Sequence, residues 1–186
     1  MLIPLRLSAQ TDEQLMRRAA RGSDRAFEEL YNRHARRLQG FFARRLGTDG
    51  DLAADFMHDA FLRLYAAREN YHEGRNVRAW LYTIAYNLCK NHLRNRLIMV
   101  ADEPDEATTG TDIELEMDAA ILHDALQETL RRMPEPYAVL FSLHYEEELT
   151  VPQVAQITGL PEGTVKSRLH KAMNIIRKEL KEYESR

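Results

Sequence analysis

Cysteine is almost missing from this chain: Cys89 is the single one in 186 residues, so neither an internal disulfide framework nor a CxxC metal site can form. No apolar run approaches the roughly 20 residues needed to span a bilayer, which predicts no membrane insertion. The opening MLIPLRLSAQTDEQ lacks a basic segment leading into a long apolar one and does not read as a secretory signal. Together these absences lead to the expectation of a soluble cytoplasmic protein. There is no glycine-rich phosphate loop, which gives nucleotide hydrolysis no basis. The histidines (His34, His58, His72, His92, His123, His144 and His170) are scattered, without HExxH or paired His–carboxylate spacing. A helical metalloenzyme is therefore a weak reading, and no cofactor is expected. The length suits one domain or two small ones.

A basic excess is also lacking, since the formal net charge is −3. That total hides a segregation. Residues 1–96 carry net +6, residues 97–130 carry ten acids and no base, and residues 131–186 carry net +1. Phosphate neutralisation supplies most non-specific affinity for nucleic acid. A mildly acidic molecule that touches DNA is thus expected to bind weakly alone, with another component supplying affinity. The middle block, with a proline, a glycine, several threonines and little apolar surface, reads as a solvated acidic linker over 98–118.

On either side the pattern is helical, and no stretch alternates long enough to argue a sheet. Thr11 or Asp12 caps a short helix DEQLMRRAA that stops at Gly22, and Ser23 caps a longer one. Its stripe is Phe27, Leu30, Tyr31, His34, Leu38, Phe41 and Leu46. A third helix from about Asp51 to Arg68 places Phe56, Ala60, Phe61 and Leu64 on one face, with Asp55, Asp59 and Arg63 on the other. After the polar loop NYHEGRN, Asn76 caps a helix to about Leu97 with Trp80, Leu81, Ile84, Leu88 and Leu93 inward. Four helices on short connections predict a bundle. Beyond the linker, Ile121, Leu122, Ala125, Leu126 and Leu130 stripe a helix ending before Pro134, and another follows Pro136 with Val139, Leu140 and Leu143. Glu146, Glu147 and Glu148 read as solvent-exposed carboxylates at a helix end, and Cys89 as a buried thiol. The fold class is all-α: two small helical domains joined by a flexible acidic linker.

The stretch LTVPQVAQITGLPEGTVKSRLHKAMNIIRKEL is the most informative. Thr150 and Gln153 have capping-box spacing, and Pro152 stands in the first turn, where its missing N–H costs nothing. Gly159 supplies a left-handed residue, and Pro161 restarts a helix to about Lys181. Small Ala155, corner residue Leu160, and Val165 and Leu169 on the inner side complete a helix-turn-helix, whose second helix can lie in a major groove. Its outward residues Thr164, Lys166, Ser167, Arg168 and Lys171 carry donors and three positive charges. Arg168 has the geometry to read guanine, while Lys166 and Lys171 suit phosphate. An ordinary helical hairpin with a solvated basic face is the competing reading of the pattern.

PEGTVKSRLHKA with the preceding LTVPQVAQITGL closely resembles region four of bacterial RNA polymerase sigma factors of the extracytoplasmic-function (ECF) group. AFEELYNRHARRL, DLAADFMHDAFLRLY and NVRAWLYTIAYNLCKNHLRNR resemble the successive helices of region two. RAWLYTIAYN upstream, in the right order, makes the match specific. The resemblance implies a non-enzymatic subunit that binds core RNA polymerase and directs it to promoter DNA. The implied domains are 10–97 (region two: polymerase binding, minus-ten recognition and melting), the linker, and 119–182 (region four: minus-thirty-five recognition). An anti-sigma factor that holds the protein inactive is implied as a further partner.

By position, the DFMHD stretch matches the surface that docks on the polymerase. Asp55, His58, Asp59 and Arg63 are the docking candidates, with Phe56 assigned to the core. The family usually has a Glu-Asp pair and a Gln where this chain has Ala54-Asp55 and His58. The loop and the helix after it match the minus-ten reader, where an unpaired base must be captured by stacking or by polar groups. Tyr71, His72, Arg75 and Asn76 offer such groups. Arg78, Asn87, Lys90, Asn91, Arg94 and Arg96 present donors to the strand, Tyr82 and Tyr86 are the exposed aromatic candidates, and Trp80 is assigned to the core. Glu162, Thr164, Lys166, Ser167, Arg168 and Lys171 form the minus-thirty-five set. A stand-alone helix-turn-helix regulator is the alternative function.

Overall fold

Thr11 starts α1 (Asp12–Ala20) with a complete capping box: its hydroxyl accepts from the Gln14 N–H at 3.2 Å, and its own N–H donates to Gln14 Oε1 at 3.0 Å. The protein is described from a computed structural model covering residues 7–48, 50–99 and 119–184. The acidic linker expected at 98–118 falls outside the described residues from 100 onward. Eight α-helices and short 3-10 and π turns make up the described residues, with no strand among them.

Four helices make up most of the first unit. A left-handed Gly22 (φ 91°) turns the chain from α1 into α2 (Asp24–Leu46). Ser23 stands at the N-cap as the sequence predicts, but its hydroxyl makes no capping hydrogen bond. Gly47, with φ 60°, ends α2 in the left-handed conformation that glycine adopts without a Cβ clash. α3 (Gly50–Ala66) and α4 (Val77–Met99) complete the unit. Ala26, Leu30, Leu38, Phe41, Phe42 and Leu46 of α2 are buried, so Phe42 belongs to the core, whereas Phe27, Tyr31 and His34 are half-buried. On α3 Ala53, Met57, Ala60, Phe61 and Leu64 are buried, whereas Phe56 lies partly open. Phe56 nevertheless packs its ring 5.5 Å from Phe42 and 5.1 Å from His92, so it joins α3 to both α2 and α4.

α1 is fastened by a polar network. Arg33 donates to Asp12 Oδ1 at 3.0 Å and to Glu29 Oε1 at 2.9 Å, and also to the carbonyls of Leu7, Ser8 and Gln10. His34 Nε2 lies 2.6 Å from the other Asp12 oxygen. Burial alone would raise the Asp12 pKa, but the hydrogen bonds and charges of His34 and Arg33 outweigh it and hold the carboxyl below its ordinary value.

α5 (Ala119–Arg132), α6 (Glu135–Phe141), α7 (Val151–Thr158) and α8 (Glu162–Glu184) follow. Most of them make up the second unit. Ala125 is buried and Leu126 and Leu130 are partly so; the predicted Ile121 and Leu122 side chains lie outside the described ones. Met133, Ala138, Phe141, Ala172 and Ile176 form a core in which α5 and α6 pack against α8. A π-helical turn, Ser142–Glu146, extends α6, and the Glu147 N–H donates to the Ser142 carbonyl at 2.9 Å. The wider turn carries Glu147 inward, to 2% exposure, which corrects the expectation that Glu146, Glu147 and Glu148 all face solvent. Glu146 is half-buried and accepts from the Ser142 hydroxyl. Glu148 alone is exposed, with φ 53°.

Candidate functional site

Three surfaces carry the predicted residues. The first lies on α2 and α3. Asp55, His58 and Arg63 are exposed and Asp59 is half-buried, with a 2.9 Å ion pair between Asp59 and Arg63 one helical turn apart. The His58 ring stacks parallel to Tyr31 at 6.0 Å, and its Nε2 sits 2.9 Å from the Tyr31 hydroxyl. Beside it an open apolar groove is lined by Phe27, Tyr31, His58, Phe61, Leu62 and Tyr65. Leu62 is 67% exposed, unusual for a large aliphatic side chain on an ordered helix. Sequence reasoning missed this groove. Its signal was positions 58, 62 and 65, which share a helical face at i, i+4 and i+7 beside the buried stripe.

The second surface is the 71–76 loop with α4. Asn76 caps α4, its side-chain oxygen accepting from the Ala79 N–H at 2.8 Å. Its amide NH2 donates to Glu13 Oε1 at 3.4 Å, so α1 braces this helix start and Asn76 is occupied structurally. Trp80, 7% exposed, anchors the loop as a core residue. Tyr71 stacks at 6.2 Å from it, while the Arg75 guanidinium lies over the indole at 4.0 Å. Burial pulls the Arg75 pKa below its ordinary value, though an arginine remains a cation at any physiological pH. The Tyr71 hydroxyl donates to the Arg75 carbonyl at 3.0 Å. His72 is exposed, and Arg78 is half-buried with a partner of its own.

Along α4, Asn87, Lys90, Asn91 and Arg94 are exposed on one face at i, i+3, i+4 and i+7 spacing. Tyr86 is half-buried, and the Arg96 side chain lies outside the described ones. Tyr82 is not an exposed aromatic. It is 1% exposed, with its ring edge-on to Phe41 at 5.4 Å. Ala79, Ala85 and Cys89 flank it on the same buried stripe, and these small side chains leave the volume that a tyrosine ring fills.

The third surface belongs to α8. Gly159 takes φ +72° between α7 and α8, supplying the left-handed corner. The Thr150 N–H donates to Gln153 Oε1 at 2.8 Å, but the Thr150 hydroxyl also donates to that oxygen, so only one arm of the predicted capping box forms. Val165, Leu169, Ala172 and Ile176 are buried. Glu162, Lys166, Ser167 and Lys171 are exposed, and Thr164 and Arg168 are half-buried. The Ser167 hydroxyl donates to the Thr164 carbonyl at 3.2 Å. At i, i+3, i+4 and i+7, Thr164, Ser167, Arg168 and Lys171 share a helix face beside the buried one. Among the described residues no group of three or more His, Cys, Asp or Glu is placed to hold a metal ion, and no helix is long and apolar enough to cross a membrane.

Two family models match this chain: Sigma-70 region 2 over residues 30–97, and Sigma-70, region 4 over residues 123–175. The RNA polymerase sigma-H factor of Pseudomonas aeruginosa is 30% identical, across 94% of this chain and 96% of that protein. The ECF RNA polymerase sigma factor SigW of Bacillus subtilis is 26% identical, across 90% and 95%. Among solved structures, CnrH in complex with the cytosolic domain of CnrY shares the fold with a TM-score of 0.66 at 23% identity, covering 91% of this chain and 97% of that one. The sigma factor RpoE of Bartonella quintana, in complex with the anti-sigma factor NepR, also gives 0.66 at 21% identity, covering 83% and 96%.

Proposed function

The chain belongs to the RNA polymerase sigma factors of the ECF group, and from that premise we propose how its surfaces divide the work of starting transcription. The protein binds core RNA polymerase and directs it to promoters. The observation that carries this function is the ordered pair of region 2 and region 4 matches, joined by a relative 30% identical over nearly the whole length. A stand-alone regulator would account for the helix-turn-helix alone and leave residues 30–97 without a role.

On this reading residues 10–97 and 119–182 act as separate domains on the acidic linker. The α3 face with Asp55, His58, Asp59 and Arg63 docks on core polymerase. Arg75 and Tyr71, held on Trp80, with exposed His72, take an unpaired base of the minus-ten element. Asn87, Lys90, Asn91 and Arg94 follow the backbone of that strand. The outer face of α8 enters the major groove at the minus-thirty-five element. The protein performs no catalysis of its own and works in the cytoplasm, where an anti-sigma factor holds it inactive. RpoE of Bartonella quintana, which shares its fold, is bound to such an anti-sigma factor, NepR.

Promoter-specific transcription with core polymerase, with and without this protein, on a library of the host's upstream DNA tests the function. New start sites that need the protein are expected; none, from folded protein free of any inhibitor, would sink it. Arg168→Ala is expected to cost about 1–3 kcal/mol of discrimination at one base pair, and Lys171→Ala to weaken all sequences alike. Equal, sequence-independent losses from both would make Arg168 a phosphate contact only.

A further inference from the structure

We propose that the outward face of α1 is a second nucleic-acid contact, a phosphodiester-binding groove continuing the path of the strand captured at the 71–76 loop. This rests on the reading of that loop as the strand-capturing element. A shallow groove of about 320 Å³ is lined by Gln10, Gln14, Arg17, Arg18 and Arg21, with no carboxylate in its wall. Both acids of α1 are engaged away from the groove lining: Asp12 by Arg33 and His34, and Glu13 by the Asn76 amide and the Val77 N–H. What α1 leaves for the groove is thus cationic and donor-rich. The Gln14 side-chain oxygen accepts from the Thr11 N–H, which leaves its NH2 as the group it offers.

Arg18 and Arg21 are exposed and have no carboxylate partner among the described residues. Arg17, in the groove wall, reaches Glu73 of the loop at 3.1 Å, which sets the groove beside the loop. The helix macrodipole favours cations in the last turn of α1. It does not ask that they converge with glutamine donors on one groove. From Gln14 to Arg21 the helix rises about 10 Å, the length of about three nucleotides at ~3.4 Å each. The ligand the groove fits is a short run of strand phosphates lying next to the captured base.

The test uses holoenzyme assembled from core polymerase and the full chain, with a labelled forked promoter probe. A second probe is shortened by three nucleotides of single strand on the α1 side. Affinity is followed by anisotropy across a salt series. Arg18→Gln with Arg21→Gln, and the reversal to Glu at both, are expected to weaken the long probe about tenfold and to flatten its salt slope by about 1.4, with little change on the short probe. Unchanged affinity and slope for both variants, with wild type holding the long probe, overturns this inference alone. A wild-type holoenzyme that does not hold the fork overturns the reading of the loop as well. Displacement of the long probe by a nucleoside triphosphate at constant ionic strength, lost in the variants, would assign the groove to a free phosphorylated nucleotide and overturn the strand contact.

Discussion

Tyr82 and Tyr86 stand one helical turn apart on α4, and their roles separate on packing. Tyr82 fills the space between α4 and Phe41, whereas Tyr86 keeps part of its surface open. Truncating Tyr82 removes a buried ring, so Tyr82→Ala is expected to destabilise the protein by about 3–5 kcal/mol in chemical denaturation. Tyr82→Phe keeps the ring and is expected to cost much less. Stability unchanged in Tyr82→Ala, with weakened promoter binding, would return Tyr82 to the DNA surface. In sequence the two tyrosines look alike, because a helical stripe wide enough to include Tyr82 is set by neighbours on α2 rather than by α4. Trp80 and Cys89 were legible, each lying among apolar residues at helical spacing. Burial pushes the Cys89 thiol up to about 12, against a smaller opposite pull from Arg45, so it stays protonated at neutral pH.

At the scale of elements, start and stop signals were the most legible part of the fold. Thr11 with Gln14, Asn76, Gly47 and Gly159 all act at the helix ends where their chemistry places them. The π turn after α6 was not legible, since its extra residue depends on how the chain re-enters the core, and Glu147 moved inward with it. The attachment of α1 is likewise tertiary, joining Asp12 to residues more than 20 positions away. Because the Asp12 pKa is held below its ordinary 3.8 in the folded state, its stabilisation is fully present above that value and is lost as pH falls through the lower folded pKa. Asp12→Asn is expected to cost about 1–3 kcal/mol at neutral pH. The wild-type advantage over Asp12→Asn, followed by thermal melts, is expected to shrink below about pH 4. An advantage independent of pH would mean that the carboxylate charge plays no part in holding α1.

Across the whole molecule, charge is distributed against autonomous DNA binding. Residues 97–130 carry net −10 beside a net +6 first block, and the α8 surface offers few cations to a duplex. Isolated protein is expected to bind a minus-thirty-five duplex weakly, with a log–log salt slope of about −2 to −3, matching two or three phosphate contacts from Lys166, Arg168 and Lys171 of α8. Tight binding at physiological salt without polymerase, or a slope near −10, would contradict a recruited subunit. The apolar groove at Leu62 fits the same division: a face left uncovered on the first unit is suited to a protein partner, while the cationic faces are suited to nucleic acid.

The sequence alone determined the helical class, the helix-turn-helix and its outward residues, because periodicity, caps and glycine corners are local and each is written within a few positions of where it acts. It also carried the family, through motifs in order along the chain. Only the tertiary structure decided that Tyr82 and Glu147 turn inward, that Asn76 is taken up as a cap braced by Glu13, that Leu62 opens an apolar groove, and that Arg17 of α1 meets the 71–76 loop. Each of these depends on which helix covers which face, and a face is covered or left open by residues far away in the chain.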